Sequence, residues 1–124
     1  MLTITLNQLP PAEFSPNSRC AWPKRYAAGV EAKDYVIALV REQGWQGPPL
    51  HGAVVSITWG LDTKRTLDWD NMIARTKPYV DGLVAAGVLT GDSVRDYRPV
   101  YDWFDSPRKP QTVIEVRSTE EGYG

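Results

Sequence analysis

The sequence predicts an α+β domain in which a mixed sheet packs against two helices, in the order β-α-β-α-β-β. Residues 2–6 alternate as Leu-Thr-Ile-Thr-Leu, the period of a strand with one buried face. Between residues 25 and 43, apolar side chains recur at three- and four-residue steps, which indicates a helix. Residues 53–59 (AVVSITW) are apolar and β-branched, which is typical of a buried strand. Strands and helices in this order favour an α+β or mixed-sheet fold.

The two helices have recognisable ends. Gly44 is expected to end the first, whose periodic residues are Tyr26, Val30, Ala32, Tyr35, Val36, Leu39 and Val40. The second is predicted to begin near Asp70, a favourable N-cap residue, and to run to Ala86. Pro78 lies inside it and lacks a backbone donor, so we expect a kink or a restart there. The predicted apolar face consists of Ile73, Val80, Leu83 and Val84.

The C-terminal part of the chain predicts two more strands. They span Val94 to Phe104 and Thr112 to Arg117, and the turn-forming segment 105–110 joins them. The chain has 124 residues, of which 42% are hydrophobic, enough for one packed core and too few for two. We therefore predict one domain over residues 1–118 and a flexible tail over residues 119–124.

Composition limits the chemistry that the chain can carry. A single cysteine, Cys20, and a single histidine, His51, exclude an intrachain disulfide and a Cys/His zinc site. A metal ion here would be a hard cation on carboxylates. The sequence has neither an apolar run of about 20 residues nor a secretory signal, so we expect a cytoplasmic protein without a membrane span.

The charge distribution bears on nucleic-acid binding. The formal net charge of −1 argues against DNA, because phosphate contacts by Lys and Arg dominate DNA affinity. Basic residues are concentrated, however, between residues 17 and 41, which hold two acidic residues and the five basic residues Arg19, Lys24, Arg25, Lys33 and Arg41. The charge therefore disfavours a DNA partner without excluding one.

Several carboxylates follow one another between residues 68 and 92. Asp68 and Asp70 are two positions apart, so in extended chain both side chains point the same way. Two carboxylates at one point repel each other unless a cation neutralises them, and Mg²⁺ prefers oxygen ligands. Asp92 follows a short connection that could fold back toward this pair. Lys77 lies about two helical turns past Asp70, where its ammonium group could bind a phosphate.

The same residues also admit structural roles. Asp70 could act only as a helix cap, and Asp92 only as a turn residue. Lys77 and Asp81 have the spacing of a solvated helical ion pair. Taken alone, the residue types and their spacing support no more than a hard-cation site.

The segment DWDNMIARTKPYVDGLVAAGVLTGDS, residues 68–93, resembles the signature of the RusA-like Holliday-junction resolvases. That signature has Asp-x-Asp-Asn, a following Lys, Asp-x-Leu four residues on, an Ala-Gly-Val-like helix end and an acidic pair. The segment SPNSR (15–19), with Trp22 and Lys24-Arg25, is similar to the family's N-terminal motif. Two departures stand out: Gly91 replaces the first acidic residue of the pair, and the gap from Asp70 to Lys77 is long.

The resemblance implies a homodimeric, Mg²⁺-dependent endonuclease that cuts four-way DNA junctions, with Mn²⁺ as an alternative ion. It implies that Asp68, Asp70 and Asp92 bind the metal and that Lys77 is the essential basic residue. Asn71 and Asp81 would support the site. We expect the DNA contacts to come from Asn17, Arg19, Lys24, Arg25 and Arg75.

Three other functions remain open at this point. The chain could bind branched DNA without cutting it, a hypothesis that Gly91 favours. It could cut flaps or replication forks by the same chemistry. It could also be an interaction domain with solvated carboxylates, in which case Asp70→Asn would change neither activity nor metal affinity.

Overall fold

The computed structural model describes residues 1–119 and confirms the α+β class. The strands are β1 (Leu2–Leu6), β2 (Ala53–Leu61), β3 (Tyr97–Asp105) and β4 (Gln111–Arg117). The helices are α1 (Trp22–Glu42), α2 (Trp69–Arg75) and α3 (Lys77–Ala85), with a short 3-10 turn at Ala12–Phe14. Residues 120–124 of the predicted tail lie outside the described residues.

The four strands form one mixed sheet in the order β1-β4-β2-β3. β4 is antiparallel to both β1 and β2, whereas β2 and β3 are parallel. Parallel strands need a long crossover, and α2 and α3 lie in the segment that joins β2 to β3. The two helices that carry the candidate residues therefore belong to this crossover.

One face of the sheet forms the core beneath the helices. The alternation of β1 predicts this face correctly: Leu2, Ile4 and Leu6 are buried, whereas the two threonines between them are exposed. Register partners on neighbouring strands point to the same face of the sheet, so the apolar side chains of this face form rows across the strands. One such row is Ile4, Ile114, Ile57 and Tyr101.

Helix α1 differs from its prediction at its start and in its buried face. It begins at Trp22 rather than near Arg25, with Pro23 in the first turn, where a missing N–H costs little. Of the predicted periodic residues, Ala32, Val36 and Val40 are buried, together with Gly29, whereas Tyr26 and Val30 are 60% and 41% exposed. Within residues 1–119, no helix is long and apolar enough to cross a bilayer.

The second predicted helix consists of two helices that meet at Thr76. The restart expected at Pro78 occurs, but the break lies two residues earlier, and Pro78 stands in the first turn of α3. Of the predicted apolar face, Val80 and Leu83 are buried, whereas Ile73 and Val84 are only half-buried. Met72, Pro78, Tyr79 and Gly82 complete the buried positions.

The third strand begins later than predicted, at Tyr97 rather than Val94. Val94 is 94% exposed, and the Asp96 N–H donates to the Ser93 carbonyl at 3.0 Å. A turn at residues 93–96 therefore replaces the first part of the predicted strand. The predicted turn at residues 105–110 is confirmed, and the Lys109 N–H donates to the Ser106 carbonyl at 3.2 Å.

The contact between α1 and α3 depends on the absence of a side chain at Gly82. A Cβ atom there would lie 2.8 Å from the Val36 Cβ and 3.0 Å from the Lys33 carbonyl oxygen. Both are rigid parts of α1, so neither can move without shifting the helix. Alanine is the better helix former by about 1 kcal/mol, and this advantage opposes the steric cost.

We predict that Gly82→Ala lowers the free energy of unfolding by about 1–3 kcal/mol, because overpacking outweighs the gain in helix propensity. Urea denaturation followed by circular dichroism measures this change. Ala85→Ser, at an exposed position of the same helix, is the control and should change stability by less than about 0.5 kcal/mol. A Gly82→Ala protein as stable as the wild type would contradict the packing described.

Candidate functional site

The junction between α2 and α3 sets the position of Lys77. Thr76 is buried, and its hydroxyl donates to the Ile73 carbonyl at 2.6 Å. Its own carbonyl accepts hydrogen bonds from the backbone N–H groups of Tyr79 and Val80, at 2.9 and 3.2 Å. Thr76 thus ends one helix and begins the next, and Lys77 becomes the first residue of α3.

Lys77 joins two of the predicted site residues. Its ammonium group donates to Asp81 Oδ1 at 2.9 Å and also to Asp92 Oδ2. The hydrogen bond to Asp92, followed by the one to Asp81, raises the pKa of Lys77 above its usual value. The same contact lowers the pKa of Asp92. Lys77 is therefore a cation shared by two exposed or half-exposed carboxylates, one of them 15 residues away in the chain.

Asp68 and Asp70 lie at the start of α2. Asp68, rather than the predicted Asp70, occupies the N-cap position, and its side chain makes no capping hydrogen bond. Asp70 lies in the first turn, and both residues are exposed. Within residues 1–119, neither carboxylate takes part in a hydrogen bond or an ion pair. A helix-capping role therefore does not account for Asp70, and both carboxylates are available to a ligand.

The three aspartates do not form a ready-made metal site in the described part of one chain. Among these residues, no group of three or more His, Cys, Asp or Glu side chains is arranged to hold a metal ion. The donor types of Asp68 and Asp70 suit Mg²⁺. Asp92, however, is bound to Lys77. The metal-binding role of the three aspartates therefore stays a prediction.

A cleft of about 230 Å³ lies beside the Lys77–Asp92 pair. Tyr97 and Tyr101 of β3 form one wall, and burial raises the pKa of both phenols. The other wall comes from α2 and α3, including Ile73 and Val80. The pair is thus placed at the edge of a depression between the crossover helices and the edge strand.

The structure explains the glycine that stands where the resemblance expects an acidic residue. A Cβ atom on Gly91 would collide with the Asp96 carboxylate. Asp96 accepts hydrogen bonds from the Thr90 hydroxyl at 2.8 Å, the Ser93 N–H at 2.9 Å and the Ser93 hydroxyl at 2.7 Å. Asp96, which the sequence analysis missed, therefore occupies the space that a residue 91 side chain would need. The Ser-x-x-Asp spacing of residues 93–96 was the signal available for it.

The residues predicted to contact DNA occupy two kinds of environment. Asn17, Arg19, Lys24 and Arg25 are exposed on and before α1. The Asn17 amide donates to the side-chain oxygen of Asn71 at 3.4 Å, and this contact links the segment before α1 to α2. Asn17, one of the predicted DNA contacts, thus adjoins the helix that carries Asp70.

Arg75 has a structural role instead. Its Nε and one terminal nitrogen donate to the Pro10 carbonyl at 3.0 and 2.6 Å, which ties α2 to the segment after β1. Desolvation by burial lowers the pKa of its guanidinium. Because two of its donors are engaged within the protein, the function proposed below does not use Arg75 as a DNA contact.

Comparison with known proteins gives little functional information. No model of a known protein family matches the chain. A protein of Xylella fastidiosa (strain Temecula1 / ATCC 700964), described as an uncharacterized protein, is 38% identical over 89 residues. The alignment covers 69% of this chain and 58% of that relative. The match shows that a similar sequence occurs within a longer protein, and its description assigns no activity.

We predict that Asp96→Asn destabilises the fold in a pH-dependent way. Hydrogen bonds from Ser93 and Thr90 lower the pKa of Asp96 to about 2, from an ordinary value of 3.8. Because the pKa of Asp96 is lower in the folded state than in the unfolded chain, its carboxylate stabilises the fold at pH values above 3.8. This stabilisation is lost as the pH falls through about 2. The difference in urea midpoint between wild type and Asp96→Asn should therefore be present at pH 5, shrink below about pH 4 and be lost as the pH falls through about 2.

Asp34→Asn is the matched control, because the exposed Asp34 carboxylate makes no hydrogen bond or ion pair within residues 1–119. Its effect on the midpoint should be small throughout. A difference between wild type and Asp96→Asn that grows as the pH falls would contradict the assignment.

Proposed function

We propose that this chain is a Mg²⁺-dependent, structure-selective DNA endonuclease that resolves four-way junctions as a RusA-like homodimer. The observation that carries the proposal is the contact between Lys77 and Asp92. The resemblance assigns catalytic roles to both, and the fold brings them together across 15 residues of sequence. Asp68 and Asp70 are exposed at the start of α2 in the same crossover, and within residues 1–119 no side chain pairs with either carboxylate.

Asp68, Asp70 and Asp92 would hold Mg²⁺, or Mn²⁺ in its place. When bound, the ion supplies a Lewis acid for the scissile phosphate and lowers the pKa of a bound water. Asp92 would have to exchange Lys77 for the cation. Lys77, thus released, would then face the developing negative charge of the phosphate. Asn71 and Asp81 support this site through their contacts with Asn17 and Lys77.

The basic segment before and within α1 supplies the contacts to DNA in this proposal. Asn17, Arg19, Lys24 and Arg25 would bind flanking phosphates, which position a duplex without selecting a sequence. The exposed Arg19, Lys24 and Arg25 provide local positive charge that the net charge of −1 conceals. A two-fold dimer would place two such sites symmetrically on a four-way junction. We place this activity in the cytoplasm of a bacterial or phage-infected cell.

The second candidate is a protein that binds branched DNA without cutting it. Two observations favour it. Lys77 already pairs with Asp92, and within residues 1–119 no group of three carboxylates is arranged to hold a metal ion. If the ion pair persisted on DNA, the site would bind the junction but would not assemble around a cation.

We predict that Asp70→Asn lowers the rate of junction cleavage by a hundredfold or more while the fold is retained. Loss of a residue that only supports a metal ligand typically costs about 10–100-fold, and a ligand itself should cost at least as much. The assay follows a labelled four-way junction in the presence of Mg²⁺ or Mn²⁺, with circular dichroism as the test of folding.

Asp34→Asn, an exposed aspartate of α1, is the control and should cut at the wild-type rate. Junction binding without nicks at any metal concentration would reject the nuclease in favour of the binding protein. Faster cleavage of flaps or forks than of four-way junctions would reject the junction specificity alone. Wild-type activity of Asp70→Asn would reject the proposed site.

A further inference from the structure

A second cleft, of about 360 Å³, opens where β2 and β3 end and the segment before α2 begins. Its walls include three of the five tryptophans in the chain, Trp59, Trp69 and Trp103. We call it the tryptophan cleft. Its volume is within the range of about 300–1,000 Å³ typical of small-ligand sites. It is distinct from the depression beside Lys77 and Asp92.

The three tryptophans reach this cleft from different elements. Trp59 and Trp103 are register partners on the parallel strands β2 and β3, so their side chains share one face of the sheet. Trp69 is the first residue of α2 and lies between Asp68 and Asp70 in the chain. Trp69 and Trp103 are 52% and 49% exposed, whereas Trp59 is only 2% exposed. Two half-open indole rings thus flank a buried one.

The buried indole carries an unmet hydrogen-bond donor. Trp59 stacks on Tyr101, with 5.6 Å between ring centroids and 10° between planes. Its ring centroid lies 5.8 Å from that of Trp69. Its Nε1–H group is buried and has no acceptor within residues 1–119. Buried tryptophan N–H groups usually have a partner. Because Trp59 itself lines the cleft, a ligand that enters with a hydrogen-bond acceptor would supply the missing partner.

The rim of the cleft carries positive charge. Lys64 and Arg65 lie on the exposed segment between β2 and α2, and both line the cleft. Asp105 is the acidic lining residue. Aromatic surfaces next to Lys and Arg are the combination by which proteins bind unpaired nucleotides, because bases stack on the rings and phosphates pair with the cations.

We propose that the tryptophan cleft binds one unpaired nucleobase of a DNA strand. The base stacks against Trp69 and Trp103, an acceptor on its edge pairs with the Trp59 N–H, and Lys64 and Arg65 contact the adjoining phosphates. Because Trp69 lies between Asp68 and Asp70, a base held there brings its strand next to the acidic pair. The inference rests on the proposed function in one respect: branched DNA is taken as the source of the unpaired strand.

The test measures binding of a short single-stranded oligothymidylate that contains one 2-aminopurine, in buffer with EDTA and no metal. Stacking quenches 2-aminopurine fluorescence, so wild-type protein should quench it. Trp103→Ala should weaken binding about tenfold or more, since loss of a base-stacking side chain typically has an effect of this size. Phe104→Ala is the matched control, because this aromatic neighbour lies on the opposite face of β3, and it should change the affinity less than twofold.

Two further measurements keep the test independent of folding. An oligonucleotide of the same length with abasic sites throughout should bind wild-type protein more weakly and should not distinguish Trp103→Ala from wild type. Lys64→Ala combined with Arg65→Ala should reduce the salt dependence of binding, with a slope that falls by about 0.7 per lost phosphate contact.

Equal affinity of wild type and Trp103→Ala for the 2-aminopurine strand would overturn the inference, as would equal losses in Trp103→Ala and Phe104→Ala. Binding of N-acetyltryptophanamide in the cleft without any oligonucleotide effect would overturn it in favour of a peptide ligand.

A protein that holds the base but never cuts a junction would reject the proposed nuclease alone. A protein that cuts junctions equally well with Trp103→Ala, and shows no quenching, would reject the base site alone.

Discussion

The break between α2 and α3 at Thr76 is the constraint on which the rest of the candidate site depends. A continuous helix cannot pass Pro78 without losing a hydrogen bond, and the buried Thr76 satisfies the ends of both helices instead. Helix α2 is thereby tied to Pro10 through Arg75. Helix α3 packs closely on α1 through Gly82. One local discontinuity therefore lets each part of the crossover meet a different neighbour.

The same break determines which charges meet. Lys77 begins α3 and engages Asp81 and Asp92, while the Asp68 and Asp70 side chains at the start of α2 have no partner within residues 1–119. The candidate residues thus form two groups, one neutralised internally and one open to a ligand. In the proposed nuclease, Asp92 would have to exchange Lys77 for the cation before it could serve as a metal ligand. Asp96, held in place by Thr90 and Ser93, fixes the connection on which Asp92 lies.

The sequence predicted the architecture well because its strands and helices follow strong periodic patterns. The alternation in β1 and the β-branched run in β2 locate two strands correctly, with β1 matched at both ends. The exposure of Tyr26 and Val30 could not be predicted, because it depends on which face of α1 meets its neighbours, such as the Phe14 ring that lies against Gly29. Likewise, the role of Gly91 depends on Asp96, a contact that only the folded turn reveals. The Lys77–Asp81 spacing was visible in the sequence, whereas the contact with Asp92 depends on the path of the chain between them.

The most direct test of the account is the affinity for Mn²⁺, measured by electron paramagnetic resonance with wild type, Asp68→Asn and Asp92→Asn bound to four-way junction DNA. If the aspartates at the two ends of the crossover share one ion, each substitution should weaken Mn²⁺ binding by at least about tenfold. If Asp92→Asn binds Mn²⁺ as tightly as wild type while Asp68→Asn does not, Asp92 is only the partner of Lys77, and the three-aspartate site does not exist.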